Sequence, residues 1–170
     1  MRVEAETMTL YAVTDRAWAK KKTLMEQVEE ALEGGITFLQ LREKNLSQEE
    51  FIKEAKEMKE LAAKYKVPFV INDNIDVALA VDADGVHIGQ DDMSVEEARK
   101  LLGEDKIIGV SAHNVEEAMK AQKGGADYLG VGAVCATSTK KDANVVSKEE
   151  IKKIKEAVDI PIVAIGGIKK

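Results

Sequence analysis

Three absences limit what this chain can be. Its single cysteine, Cys135, excludes an intrachain disulfide framework and a zinc site built from four cysteines of one chain. No apolar run approaches the roughly 18 residues of a membrane-spanning helix. The N-terminus also lacks the apolar segment of a secretory signal. We therefore expect a cytoplasmic protein without a membrane partner.

Prolines and aromatic residues are also scarce. The 170 residues include two prolines, and aromatic residues make up 4%. Apolar residues account for 45% and charged residues for 33%, which is typical of a globular protein. The formal net charge of −6 argues against a nucleic-acid partner, since non-specific binding to nucleic acid needs a basic face.

Strands and helices are predicted to alternate along the chain. Apolar segments predict seven strands, at residues 10–14, 36–41, 69–71, 85–88, 107–110, 127–131 and 160–165. Amphipathic segments between them predict helices, three of which begin with a serine followed three residues later by glutamate: Ser47 and Glu50, Ser94 and Glu97, Ser147 and Glu150. These pairs predict capping boxes. Residues 1–8 are polar, and we expect them to form a tail.

Repeated βα units indicate an α/β fold with a parallel sheet and right-handed crossovers. A (β/α)8 barrel of the TIM type is the expected architecture. The count stops at seven strands, and such barrels usually need roughly 200 residues or more. We therefore expect either an open sheet or a single domain, residues 1–170, whose last βα unit is missing.

The stretch from Val67 to Asp92 contains two apolar runs that both end in acids. One run is followed by Asp73, and the other by Asp91 and Asp92. If the two strands are parallel neighbours, Asp73 lies near Asp91 or Asp92, and two carboxylates there suit a hard cation such as Mg2+. The alternative is that these acids are helix N-caps and turn residues.

The other predicted strand ends carry polar residues that suit an anion. Arg42 offers a planar guanidinium for phosphate, and Lys44 and Lys140 offer point charges. Ser111, Thr137 and Thr139 add hydroxyl groups, and the backbone of Gly166 and Gly167 can approach a phosphate closely. Active sites of TIM barrels lie at these strand ends. Together the residues fit a diphosphate with Mg2+.

Each of these residues also has an ordinary structural interpretation. Arg42 and Lys44 could be a solvated strand end, and Ser111 could be an N-cap. His113 is interpreted as a capping or loop residue, His87 as structural and Cys135 as inert. The segment from Thr137 to Asp142 could be an exposed basic loop. These residues all lie at one predicted rim. A purely structural role for every one of them is therefore much less favoured than a shared site.

Seven short motifs give the chain a resemblance to the thiamine phosphate synthase family, from Leu10 to Ile168. They are YAVTDR at 11–16, QLREKN at 40–45, IND at 71–73, DGVHIGQDD at 84–92, GVSAH at 109–113, TSTKKD at 137–142 and AIGGI at 164–168. The resemblance implies a (β/α)8 barrel. It also implies an enzyme that joins a hydroxymethylpyrimidine diphosphate to a thiazole phosphate and releases pyrophosphate.

The resemblance also implies roles for individual residues. Asp73 and Asp92 would hold Mg2+, and Asp92 matches the family position better than Asp91. The residues implied to bind substrate are Gln40, Leu41, Arg42, Glu43, Lys44, Asn72, Ser111, Thr137, Ser138, Thr139, Lys140 and Gly167. Of these, Arg42, Lys44, Ser111 and Lys140 would act in catalysis by stabilising the diphosphate. Thr137 to Thr139 and Gly167 would belong to the thiazole phosphate site.

Two competing interpretations stay open. One is a thiazole tautomerase-like relative with a similar barrel, which the metal and diphosphate residues disfavour. The other is a family member lacking the last βα unit that binds diphosphate but turns over poorly or not at all. In that form the edges of the first and seventh strands would be unpaired, and the chain could form a homo-oligomer through the gap.

Overall fold

A computed structural model describes residues 3–135 and 145–169. Seven strands lie in these ranges: β1 Tyr11–Val13, β2 Phe38–Leu41, β3 Phe69–Asn72, β4 Gly85–Ile88, β5 Ile107–Ala112, β6 Tyr128–Val131 and β7 Ile162–Ala164. The α-helices are α1 Leu24–Glu33, α2 Gln48–Lys64, α3 Ile75–Val81, α4 Val95–Leu102, α5 Val115–Gly124 and α6 Lys148–Ala157. Two 3-10 helices, Ala5–Met8 and Arg16–Trp18, flank β1.

All seven strands are parallel, and their spatial order is the same as their order in the chain. Each strand is joined to the next by a helical connection. The result is a nearly closed barrel with helices outside, which confirms the predicted TIM-type fold. Within the described residues, β1 and β7 each pair on one side only.

Capping residues define where the helices begin. Ser47 and Glu50 form the predicted capping box of α2, and Ser94 and Glu97 form that of α4. The predicted box of α6 is only half correct. Ser147 caps the helix by accepting from the Glu150 N–H, but the Glu150 carboxylate accepts instead from the backbone N–H of Val115 at 3.1 Å. Glu150 therefore ties α6 to the start of α5.

The hydrophobic core has two layers. The larger layer fills the space between the sheet and the helices, and the smaller one fills the inside of the barrel. Val3 and Met8 pack in the inner layer with Phe38, Val70 and Tyr128. The prediction of a polar tail over residues 1–8 is therefore wrong for the part that is described. Burial of Val3 and Met8 removes apolar surface from water and covers the inner core.

No helix in the described ranges is long and apolar enough to cross a membrane.

An ion cluster joins the loop after β1 to the loop after β2 and to α2. The Arg16 guanidinium donates to Glu43 at 2.9 Å and also to Glu54. The second carboxylate oxygen of Glu54 is buried without a hydrogen-bond partner among the described residues. Burial, and then the neighbouring Glu43, raises the pKa of Glu54 to about 7, although Arg16 lowers it. The cluster holds the loop that carries Arg42 and Lys44.

We predict that Glu54 makes the stability of the fold depend on pH. Between the ordinary glutamate pKa of about 4.3 and the raised value of about 7, the folded chain binds a proton that the unfolded chain has released. The free energy of unfolding must therefore fall as pH rises through this window. In Glu54→Gln this contribution disappears, so the stability of the variant relative to the parent should increase from pH 5 to pH 8.

Chemical denaturation at several pH values measures the difference. Glu57→Gln is the matched control, because Glu57 is exposed one turn further along α2. A Glu54→Gln profile parallel to that of the parent and the control would contradict the assignment.

Candidate active site

A cavity of about 800 Å³ opens among the carboxyl ends of the strands. Most of the predicted site residues that are described line it: Gln40, Arg42, Lys44, Asn72, Asp92, Ser111 and Gly167. Its floor includes Tyr11 and His87. The parallel register explains this convergence, because it brings the strand ends to one rim.

Asp92 forms the acidic side of the cavity, and Asp73 lies beside Asp92 without lining the cavity. Burial raises the pKa of Asp73, and the hydrogen bond and charge of the Asp92 carboxyl raise it further, whereas Lys44 lowers it. The two carboxyls are therefore close neighbours, and Asp92 rather than Asp91 is the partner. The backbone N–H of Gly89 donates to Asp92 at 2.6 Å and orients its carboxylate.

The backbone at Asp73 is strained. Its φ is +66°, a left-handed conformation that non-glycine residues adopt at a cost. The Asn74 N–H donates across it to the Asn72 carbonyl at 2.8 Å, and the Asp73 N–H donates to the His87 carbonyl at 2.8 Å. This tight turn directs Asp73 towards the end of β4. Such strain is common at functional sites.

The carboxyl pair suits a divalent cation. Two acids that disfavour each other's ionisation would both be stabilised in the charged form by a cation between them. No group of three or more histidine, cysteine, aspartate or glutamate side chains in the described ranges could hold a metal ion. Asp73 and Asp92 would therefore need oxygens of a ligand or water to complete the coordination of Mg2+.

Arg42 and Lys44 form the basic side of the cavity. The backbone of Arg42 is held by Thr14, whose hydroxyl accepts the Arg42 N–H at 2.9 Å. The guanidinium of Arg42 forms no hydrogen bond within the described residues. The Lys44 ammonium donates to the neutral Asn72 amide at 3.1 Å and forms no salt bridge there. Two cations that face a cavity and form no salt bridge within the described residues favour an anionic ligand.

The loop after β7 adds backbone donors. Gly166 and Gly167 have φ values of +100° and +65°, and a Cβ at Gly166 would lie 2.7 Å from Ala133. A side chain is therefore excluded at Gly166. Neither N–H has an acceptor within the described residues, and both glycines line the cavity. A phosphate site at Gly167 stays a prediction.

Two predicted substrate-binding side chains point elsewhere. Leu41 is fully buried in the layer between sheet and helices. Glu43 is turned towards Arg16 and Glu54, and it does not line the cavity. Alternation along β2 turns the Leu41 side chain outward, and Arg16 attracts the Glu43 carboxylate. That these two residues bind substrate stays a prediction. Thr137, Ser138, Thr139 and Lys140 lie outside the described residues.

The interior holds polar residues that sequence reasoning did not assign to the site. His87 is buried and contacts both Tyr128 and Ser111, whereas Tyr11 contacts Gln40. The signal available was alternation by two, which places His87 on the same face of β4 as Gly85, towards the inside. His113 bonds Glu117 at 2.9 Å, as expected for a loop histidine, and Cys135 is exposed.

Comparison with known proteins assigns the chain to a family. The sequence model of thiamine monophosphate synthase matches residues 10–170. A thiamine-phosphate synthase of Clostridium acetobutylicum is 56% identical over 161 residues, which are 95% of this chain and 76% of the relative. One of Clostridium tetani is 56% identical over 162 residues, covering 95% of this chain and 78% of the relative.

Solved structures agree with the sequence comparison. Thiamine phosphate pyrophosphorylase from Pyrococcus furiosus superposes with a TM-score of 0.88 at 45% identity, covering 97% of this chain and 78% of that one. An N-acetylmannosamine-6-phosphate 2-epimerase from Clostridium perfringens, at 15% identity and a TM-score of 0.67, shares the fold alone. The chain therefore belongs to the thiamine monophosphate synthase family and is a transferase of the thiamine-phosphate synthase type.

Proposed function

We propose that the chain joins 4-amino-2-methyl-5-hydroxymethylpyrimidine diphosphate to 4-methyl-5-(2-hydroxyethyl)thiazole phosphate in a Mg2+-dependent reaction. The bond between the pyrimidine methylene carbon and the diphosphate oxygen breaks, and pyrophosphate leaves with the electron pair. A bond from the thiazole nitrogen to that carbon forms, which gives thiamine phosphate. The observation that carries the proposal is that Arg42 and Lys44, which form no salt bridge within the described residues, line the same cavity as Asp92, whose carboxyl neighbours that of Asp73.

The diphosphate would lie between the basic and acidic sides of the cavity. Arg42 and Lys44 would donate charge-assisted hydrogen bonds to its oxygens. Ser111 would add a neutral donor. Charge accumulates on the diphosphate as the bond to carbon breaks, and donors already in place stabilise that charge without reorganisation.

Mg2+, when bound, would neutralise diphosphate oxygens and stabilise the leaving group. Asp73 and Asp92 are the residues that would hold it. Their mutual repulsion supports this role, because a cation between them would remove it.

The second substrate would enter beside Gly166 and Gly167. Their N–H groups, which have no acceptor among residues 3–135 and 145–169, can donate to a phosphate, as backbone amides do in other phosphate sites. From the family resemblance, Thr137 to Thr139 would also bind the thiazole phosphate, whereas Lys140 would contact the diphosphate. Holding both substrates in one cavity would convert the reaction into a unimolecular step, since orientation replaces collision.

We predict that Asp73→Asn loses Mg2+-dependent binding of pyrophosphate. The amide cannot supply the negative charge that a hard cation prefers. Asp91→Asn is the matched control, because Asp91 is exposed next to Asp92 but is not the carboxyl that acts on Asp73. Isothermal titration with pyrophosphate, with and without Mg2+, measures the effect. Equal Mg2+-dependent affinity for Asp73→Asn and the parent would refute the metal assignment.

We predict that Lys44→Ala weakens binding of Mg-pyrophosphate by about 1–3 kcal/mol, the usual contribution of a hydrogen bond to a charged group. Arg42→Ala and Lys140→Ala should act in the same direction. Lys53→Ala, on the exposed face of α2, is the charge-matched control. The same titration, together with kcat/KM for thiamine phosphate formation, tests this. Losses of the same size in the control would instead indicate a general effect of net charge.

The turnover assay also separates the competing interpretations. A tautomerase-like relative would neither bind Mg-pyrophosphate nor form thiamine phosphate. A chain that binds Mg-pyrophosphate but does not turn over would fit the interpretation of a binding form that lacks part of the thiazole phosphate site.

Self-association through the edges of β1 and β7 stays a prediction, as does a cytoplasmic location. An unpaired strand edge offers N–H and C=O groups to another chain. Light scattering after size exclusion should show a species larger than the 18.6 kDa chain. A monodisperse monomer over the accessible concentration range would contradict the prediction.

A further inference from the structure

A continuous line of hydrogen bonds crosses the interior of the barrel below the cavity. Its first half begins at the Lys44 ammonium, which donates to the Asn72 side-chain carbonyl at 3.1 Å. The Asn72 amide N–H donates to the Gln40 carbonyl at 2.9 Å, and the Gln40 amide N–H donates to the Tyr11 hydroxyl at 2.7 Å. The direction of this half is set, because an ammonium can only donate.

The second half runs from Tyr11 to the opposite side of the cavity. The Tyr11 and Tyr128 hydroxyls lie 2.6 Å apart, and the Tyr128 hydroxyl lies 2.9 Å from His87 Nδ1. His87 Nε2 in turn lies 2.9 Å from the Ser111 hydroxyl. Both ends of the line, Lys44 and Ser111, lie on the cavity that would hold the diphosphate.

Counting protons decides the direction of the second half. Burial raises the pKa of both Tyr11 and Tyr128 above the ordinary tyrosine value, so each hydroxyl keeps its one proton. The Tyr11 oxygen already accepts from Gln40. Within the described residues, the proton of Tyr11 has only the Tyr128 oxygen as an acceptor, and in the buried interior an unused donor is costly. Tyr11 therefore donates to Tyr128, and Tyr128 donates to His87 Nδ1.

The remaining steps follow from the chemistry of imidazole. If Nδ1 accepts, the ring proton is on Nε2, and Nε2 donates to the Ser111 oxygen. The hydroxyl proton of Ser111 then cannot point at His87. No other acceptor within the described residues bonds this hydroxyl, so its proton points into the cavity.

Two glycines leave room for the rings of Tyr128 and His87. A Cβ on Gly109 would lie 2.1 Å from the Tyr128 ring, and a Cβ on Gly130 would lie 3.0 Å from His87 Cε1. Both glycines lie on inward positions of β5 and β6, where they pair with Tyr128 and Ser111 respectively. Close packing leaves the Tyr128 and His87 rings few other orientations.

We propose that this line of hydrogen bonds has one fixed direction, which holds His87 in the Nε2–H tautomer. As a result, the Ser111 hydroxyl donates its proton to an anionic oxygen. Tyr11, Tyr128 and His87 are positioning residues in this scheme, and only Ser111 contacts the ligand. With the opposite tautomer, Ser111 could donate to His87 and would then present a lone pair to the anion. The ligand part of the proposal rests on the proposed function; the direction of the line does not.

The direction is tested on the ligand-free parent protein. The chain has only two histidines, so a two-bond 1H–15N spectrum of the imidazoles contains two patterns. A His113→Gln variant assigns them. We expect His87 to carry its proton on Nε2, with Nδ1 unprotonated. A proton on Nδ1, or on both nitrogens, would overturn the proposal whether or not the protein binds pyrophosphate.

The action through Ser111 is tested by a double-mutant cycle with Mg-pyrophosphate as the probe. Tyr128→Phe and Ser111→Ala should each weaken binding by about tenfold, as expected for one lost hydrogen bond to a charged group. The double variant should bind no more weakly than Ser111→Ala alone, because Tyr128 acts only through Ser111. Additive losses would indicate a merely structural role and overturn the proposal.

Three further variants separate the proposed role from a general loss of folding. Tyr65→Phe is the matched control, since Tyr65 is exposed at the end of α2 and should bind like the parent. His87→Gln can place an amide N–H where Nε2 stands, and it should recover affinity relative to His87→Leu, which has no donor. Equal affinities of these two His87 variants would count against the scheme. If the parent itself fails to bind Mg-pyrophosphate, the proposed function and the role of Ser111 are refuted. The imidazole spectrum still decides the direction of the hydrogen bonds between Lys44 and Ser111.

Discussion

Parallel pairing in register brings seven strand ends to one rim, and the arrangement of the site depends on that pairing. Asn72 pairs with His87 across β3 and β4, and Ser111 pairs with Gly130 across β5 and β6. A shift of one residue in either pair would turn the polar inward side chains towards the helices. The apolar layer between sheet and helices opposes such a shift, because it would expose buried residues such as Leu41 and Ile71. Burial on the outer face of the sheet therefore determines the polar chemistry on its inner face.

The same register also buries polar side chains inside the barrel. Polar groups buried beneath the cavity must all find partners, since an unpaired buried donor or acceptor costs about as much as several ordinary hydrogen bonds gain. The line from Lys44 to Ser111 meets this requirement with side chains from six strands and from the loop after β2. Below it, Phe38 stacks on Tyr11 with ring centroids 4.7 Å apart, and Val3 and Met8 close the inner core. Rigidity at the base of the site thus comes from packing and hydrogen bonding together.

Charge at the rim is arranged in two different ways. Arg16 is neutralised by Glu43 and Glu54, so it serves the structure. Arg42, a residue of the same type on the next strand end, has no such partner among the described residues and faces the cavity. Asp73 adopts a strained backbone that places its carboxyl against Asp92, an arrangement that is unfavourable without a cation. Residues that lower stability in the isolated chain are therefore those that a charged ligand would stabilise.

The sequence by itself determined the strand count, the parallel barrel, most helix caps and the set of polar strand ends, because each depends on periodicity or on residues a few positions apart. The choice of Asp92 over Asp91 as the neighbour of Asp73 was favoured by the family resemblance but left open by the strand pattern. Only the tertiary structure decided that Glu43 turns away to Arg16, and that Val3 and Met8 are buried. It also decided that His87, interpreted from the sequence as structural, joins Tyr128 to Ser111. These outcomes rest on contacts between distant residues, such as Tyr11 and Tyr128, which are 117 positions apart. A local pattern can place a side chain on the inner face of a strand, but its partner is known only once the register of the neighbouring strands is known.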